Sequence, residues 1–265
     1  MRAGVALAAL SLSGCAGGGP VGHTAHPLAA GDVSLAAGAS AQLAEGGAAS
    51  SIRDARESTV AGAVPPPDAD ARYRRGAVSQ VAVGPGLAPF VAARVGLAGS
   101  HEAGISWTGR RLRFDARHAF VWDRVALSVG GGAHASRGRV GEDKDQPIAG
   151  LGTEGATSGG LDVPVLLGYR SGAGILSLWG GARVGYERLG GTLCRGTPSD
   201  CERQDLRGGH WSAGGLVGLS VGFRRVHVLL ELDAAYERVD AQWGGAQAKI
   251  DGWSLGPAAM VSFRF

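Results

Sequence analysis

Lysine is almost missing from this chain. Lys144 and Lys249 are the only two in 265 residues, so arginine carries nearly all the positive charge behind the formal net of +3. No basic block stands out, and nucleic-acid binding is left without an electrostatic footprint. Long apolar runs are missing too, since none approaches the ~20 residues a transmembrane helix requires. That excludes helical membrane spans but not strands, whose alternation gives a far weaker hydropathy signal. Aromatic residues are absent from the first 72 positions, and all sixteen lie at or beyond Tyr73. A segment without them builds little core. Glycine is abundant instead, at 47 residues, but without the G-X-Y period of collagen. The expectation is a tail followed by one domain.

The tail begins as an address. Arg2 is followed by the apolar run Val5-Ala6-Leu7-Ala8-Ala9-Leu10 and then small residues up to Cys15. This is the layout of a secretory signal over residues 1–14. Leu12-Ser13-Gly14-Cys15 resembles the bacterial lipobox, which implies lipidation of Cys15 as the new N-terminus. Ala16 in the next position implies sorting to the outer membrane. Residues 15–75 then run in Ala, Gly, Ser and Pro, including Gly17-Gly18-Gly19-Pro20 and Pro65-Pro66-Pro67. Gly46-Gly47 and Ser50-Ser51 interrupt a weak helical pattern over 41–60, so a flexible tether is the simpler expectation.

Residues 76–265 alternate with period two between Gly-, Asp- and Ser-rich turns. One face of 226–240 reads Val228, Leu230, Leu232, Ala234 and Tyr236, and the other reads His227, Leu229, Glu231, Asp233, Ala235 and Glu237. Likewise Leu112, Phe114 and Ala116 oppose Arg111, Arg113, Asp115 and Arg117. A soluble sandwich also alternates. Two features favour a closed all-β antiparallel transmembrane barrel: charges of both signs share the polar face with Gly and Ser, and aromatics gather near strand ends (Trp107, Trp122, Tyr186, Trp211, Tyr236, Trp253). Short links at 122–123, 171–173 and 224–225 alternate with expected long loops at 138–159, 190–208 and 241–250. That parity gives ten strands, with eight to twelve as the range: 77–83, 87–98, 101–108, 111–121, 124–137, 160–170, 174–189, 209–222, 226–240 and 251–265.

The last of these carries a resemblance. Trp253, Leu255, Ala259, Val261, Phe263 and the terminal Phe265 share one face. This resembles the C-terminal signal of bacterial outer-membrane β-barrels, small porin-like barrels included. It implies an assembly signal at Val261, Phe263 and Phe265, with the barrel-assembly machinery and outer-membrane lipid as partners. Pro257 departs from the pattern, removes one ladder donor and predicts a bulge or kink.

Little else points to chemistry. Cys194 and Cys201 fall in an expected outer loop and predict a disulfide in an oxidising envelope. Gly130-Gly131-Gly132 and Gly244-Gly245 open no helix after a buried strand, so a phosphate cradle fails its context. The seven histidines (23, 26, 101, 118, 134, 210, 227) show no paired metal-ligand spacing, and no metal or cofactor is expected. The expected inward charges are Arg94, Glu102, Arg111, Arg113, Asp115, Arg117, Arg183, Glu187, Glu231, Asp233 and Glu237. They imply a salt-bridged interior or the lining of a narrow channel for small solutes. No nucleophile motif appears, so the expected role is non-enzymatic. A lipid-modifying enzyme, and a soluble lipid-anchored barrel for a small apolar ligand, are the alternatives.

Overall fold

A computed structural model describes residues 19–59, 70–138, 148–197 and 200–265. The signal segment and Cys15 lie outside these residues. The elements in chain order are β1 (Val33–Glu45), α1 (Gly47–Glu57), α2 (Asp70–Ala82), β2 (Gly86–Leu97), β3 (His101–Trp107), β4 (Arg111–Trp122) and β5 (Val125–Arg137). There follow a two-residue strand β6 (Leu151–Gly152), then β7 (Ala156–Arg170), β8 (Leu176–Thr197), β9 (Asp200–Phe223), β10 (Val226–Trp243) and β11 (Ala246–Arg264). Ten strands close a ring of antiparallel ladders, β1-β2-β3-β4-β5-β7-β8-β9-β10-β11 and back to β1, while β6 only borders the outer end of β8.

The ring has ten strands, but not the expected ten. Residues 77–83 are not its first strand. They belong to α2 and the residue after it, where Asp70 in the first turn favours the helix dipole and forms an i,i+4 pair with Arg74 at 2.6 Å. Gly84-Pro85-Gly86 then stops the helix. The first strand is β1, inside the expected tether. It pairs with β2 on one side and with the C-terminal strand β11 on the other. The small residues of β1 permit this seam: a Cβ on Gly38 would lie 2.1 Å from the Ala259 carbonyl oxygen.

The loops also differ from expectation. Residues 190–197, 200–208 and 241–250 belong to hairpin strands rather than loops, apart from the turn at 244–245, so β8 to β11 form a tall wall on the outer side. The β10–β11 turn is Gly244-Gly245 alone, both at positive φ (55° and 84°), which explains this glycine pair without a ligand. Cys194 and Cys201 form a disulfide near the tip of the β8–β9 hairpin, with Cα atoms 5.5 Å apart. Pro257 causes neither bulge nor register shift. The β1–β11 ladder skips Ala41 and Gln42 and resumes in the same register at Leu43 opposite Leu255.

α1 and α2 form a hairpin between the outer ends of β1 and β2. Its apolar side packs into the mouth: Ile52, Ala55, Tyr73, Ala77 and Val78 cluster with Leu189, Leu193, Leu206, Trp243 and Ile250 of the tall wall. Tyr73 and Trp243 are fully buried, their rings 5.9 Å apart, and the Arg74 guanidinium covers the indole at 5.3 Å.

Candidate functional site

The exterior defines the solvent. Val217, Val221, Val228, Leu230, Leu232, Leu161, Leu167, Phe114 and many neighbours point outward and are exposed. A soluble barrel would leave this belt in water, where an apolar patch of such extent is not tolerated. Tyr186, Trp211, Tyr236 and Trp253 ring the belt on the outer side, in two contacting pairs at 4.6 and 5.6 Å. Phe120 and Trp122 stack at the inner end, where Phe223, Phe263 and Phe265 also point outward. From Val226 to Tyr236 is a rise of about 25 Å for a tilted strand, the height of a membrane belt. Val261, Phe263 and Phe265 lie on this outer face, with Phe265 tied to Val33 by two backbone bonds of 2.9 and 3.2 Å.

Inside, the wall is charged. Arg94, Glu102, Arg111, Arg113, Asp115, Arg117, Arg183, Glu187, Glu231, Asp233 and Glu237 all face the lumen, and most are buried. They divide into linked groups. Arg94 binds Glu102 and, at 2.5 Å, Asp115, while Arg117 donates to Glu102 at 2.8 Å. Arg113 donates to Asp115 at 2.6 Å and makes a fork of 2.8 and 2.9 Å to Asp162. Arg183 approaches Asp162 at 3.3 Å and Asp233 at 3.9 Å. Arg113 has space for this because Gly132, opposite Asp115 on β5, carries no side chain where the guanidinium lies. Asp162 is not among the expected inward charges, yet side chains from three other strands converge on it.

Higher in the lumen, Arg111 donates to Glu187 at 2.9 Å, and His210 bonds Glu237 at 2.7 Å with Glu187 at 3.4 Å on its other nitrogen. Ser254 donates to Glu237 at 2.6 Å. The carboxylate therefore stands between serine and imidazole, an order unlike the serine–imidazole–acid relay of a Ser-His-Asp triad. His134 lies between Asp162 and Glu187, 3.8 Å from each. These groups surround a cavity of about 80 Å³, bounded by Gly19 and Pro20 on one side and by Ala82 and Val83 on the other.

The decisive occupant of the lumen is the chain itself. Residues 19–28, expected as flexible tether, run inside the barrel toward its inner end. Glu231 accepts from the backbone N–H of Val21 at 2.6 Å and of Gly22 at 3.0 Å. Glu102 accepts from Leu28 N–H at 2.9 Å, and Arg183 donates to the Gly19 carbonyl at 2.5 Å. Arg117 donates to the carbonyls of Thr24 and His26. Opposite these charges, Val21 and Ala25 pack with Phe90, Leu166, Trp179, Leu229 and Met260. The interior is thus not uniformly polar. No sequence period marks this stretch, because its partners are up to 210 residues away.

A closed antiparallel ring with an apolar belt, aromatic girdles at both ends and a charged interior is an outer-membrane-type β-barrel, built for the bacterial outer membrane. No protein-family model matches the chain, and no curated protein matches it. Among solved structures it is similar to the outer-membrane protease OmpT of Escherichia coli (TM-score 0.39, 10% identity, 88% of this chain and 95% of that one). It is also similar to a major outer membrane protein of Thermus thermophilus (TM-score 0.34, 12% identity, 88% and 99%) and to neisserial surface protein A (TM-score 0.33, 10% identity, 88% and 96%). The class rests on the barrel's own belt, girdles and closed ladder.

Proposed function

We propose that this protein is a structural, non-enzymatic barrel of the bacterial outer membrane, closed at neutral pH. The observation that carries the reading is the obstructed lumen: paired charges link across it, and residues 19–28 fill most of the rest beside a cavity of about 80 Å³. A buried apolar ligand has no comparable support, since the apolar side chains inside already pack against Val21 and Ala25. The test is conductance of the purified chain in planar bilayers at about pH 7.5, the neutral range of histidine. Silence is expected. Steady steps would replace this reading with a permanently open narrow channel for small solutes.

The proposal includes lipidation at Cys15, and assembly through Val261, Phe263 and Phe265. Gly19, four residues beyond Cys15, is held in the lumen by Arg183. An acyl group at Cys15 must therefore reach lipid across at most about 14 Å of extended chain. Mass spectrometry of the N-terminal peptide from outer membranes should show acylated Cys15 as its first residue. An unmodified Cys15 would remove lipidation from the proposal and leave the barrel intact.

A further inference from the structure

The lumenal stretch 19–28 contains no Lys, Arg, Asp or Glu, and its only titratable side chains are His23 and His26. It enters no strand ladder, and it joins the wall through residues 29–32 at the start of β1. Charged side chains hold it by its backbone, and Val21 and Ala25 supply its apolar contacts. Leaving the lumen would break none of the ring's ladders.

What faces the two imidazoles is mostly cationic. His23, 5% exposed, has Arg94 of β2 and Arg113 and Arg117 of β4 around it, and its Nδ1 bonds the Thr24 carbonyl at 3.1 Å. His26, also 5% exposed, faces Arg117 and Arg170 of β7. Arg264 of β11 and His227 of β10 lie beyond Arg170. Among the described residues neither ring nitrogen of His26 has a hydrogen-bond partner, although the Arg124 carbonyl is near. The carboxylates of this region are engaged already: Glu102 by Arg94 and Arg117, Asp115 by Arg94 and Arg113, Asp162 by Arg113 and Arg183, and Glu231 by two backbone amides.

We propose that residues 19–28 are an acid-released stopper: protonation of His23 and His26 drives the stretch from the lumen and opens the inner part of the barrel to water. This goes beyond the structural reading, which concerns the seated state at neutral pH. An imidazolium at either position would sit among guanidinium groups, and the carboxylates named above are all engaged elsewhere. Burial adds a desolvation cost. At these two positions the seated stretch therefore binds fewer protons than the released one, and their contribution to seating shrinks as pH falls. Two histidines set the limit, a rise in the released-to-seated ratio of up to about a hundredfold per pH unit.

The test uses the full chain in mild detergent, with Thr24→Cys as reporter and Cys15→Ser so that position 24 carries the one cysteine outside the Cys194–Cys201 disulfide. Labelling by a bulky water-soluble thiol reagent is normalised at each pH to the same protein unfolded in urea. Thr24 is 4% exposed, so strong protection is expected near neutrality. Labelling should approach the unfolded rate by about pH 4.5, with a logarithmic slope near two that falls to about one in His23→Gln or His26→Gln. The double Gln variant should stay protected throughout. Three results overturn the proposal: protection that persists in acid, acid exposure that survives in the double variant, or exposure accompanied by loss of the SDS-resistant band. The second would assign the effect to the gripping carboxylates, and the third to opening of the barrel itself. Neutral-pH conductance fails or holds independently of all three.

Discussion

Asp162→Ala should destabilise the barrel by about 3–5 kcal/mol, the usual cost of removing one partner from a buried ion pair. Asp162 is 3% exposed and receives the fork of Arg113 from β4 and the guanidinium of Arg183 from β8. Its removal leaves the buried Arg113 and the partly buried Arg183 short of a partner where side chains of β4, β7 and β8 meet. The alanine also vacates volume that neither arginine can fill while keeping its other bonds. Urea titration of the SDS-resistant form measures the effect. Asp162→Asn should recover part of it, because one amide oxygen still accepts from Arg113. A loss of less than about 1 kcal/mol, the range of solvent-exposed pairs, would show that the network is hydrated and weakly coupled.

Gly38→Val should be at least as damaging, through a different route. The added Cβ would meet the Ala259 oxygen at 2.1 Å and the Met260 Cα at 2.5 Å. Both are backbone atoms, so no rotamer change relieves the contact, and β1 must move away from β11. Overpacking in a well-filled site typically costs about 1–3 kcal/mol, and here the collision also breaks ladder bonds of the one seam that closes the ring. Heat-modifiability on SDS gels reads this directly: the fast-migrating folded band should shrink or vanish without boiling. A normal band, stable to the same temperature as the parent, would mean that the seam has slack at Gly38.

These two sites show what the sequence discloses and what it conceals. The faces of β10 and β4 were legible because Val228, Leu230 and Leu232 alternate with Leu229, Glu231 and Asp233, and Phe114 with Arg113 and Asp115. Side chains so different can occupy only opposite solvents. β1 was hidden because its outward residues are Val33, Leu35, Ala37 and Ala39, with Gly38 and Ser40 on the inner face. That small-residue alternation resembles a tether in composition, and it exists because the seam is tight. Residues 77–83 failed in the opposite direction. Ala77-Val78-Ser79-Gln80-Val81-Ala82 alternates weakly, but Tyr73, Ala77 and Val78 make a helical face whose partner is Trp243. One strand was missed and one was supernumerary, so the parity of the links still summed to ten.

The lumen was half readable. Charged positions follow from period two alone, whereas the identity of their partners needs the register of distant strands. Glu231 shows the limit, since from its own strand it is one more inward acid, yet its two donors are the amides of Val21 and Gly22. Backbone donors leave no trace in side-chain pattern. Trp179, Phe90 and Met260 inside the barrel escaped anticipation for a related reason: they exist to meet a segment that sequence composition assigned to the outside.

The position of the seam also orders the making of the molecule. The stopper and β1 are synthesised before any other part of the wall, while β11, the partner that locks β1 in place, is the last strand of the chain. Gly38 must find Met260 across about 220 residues, and closing a flexible loop of that length costs about 5 kcal/mol in chain entropy. Until that happens, β1 and β11 are both open edges with unpaired amides and carbonyls, the condition in which strands join the wrong neighbour. Seam closure is therefore the late, slow event expected for contacts of such high sequence separation. The closed seam encircles residues 19–28 in the manner of a hoop around its axle.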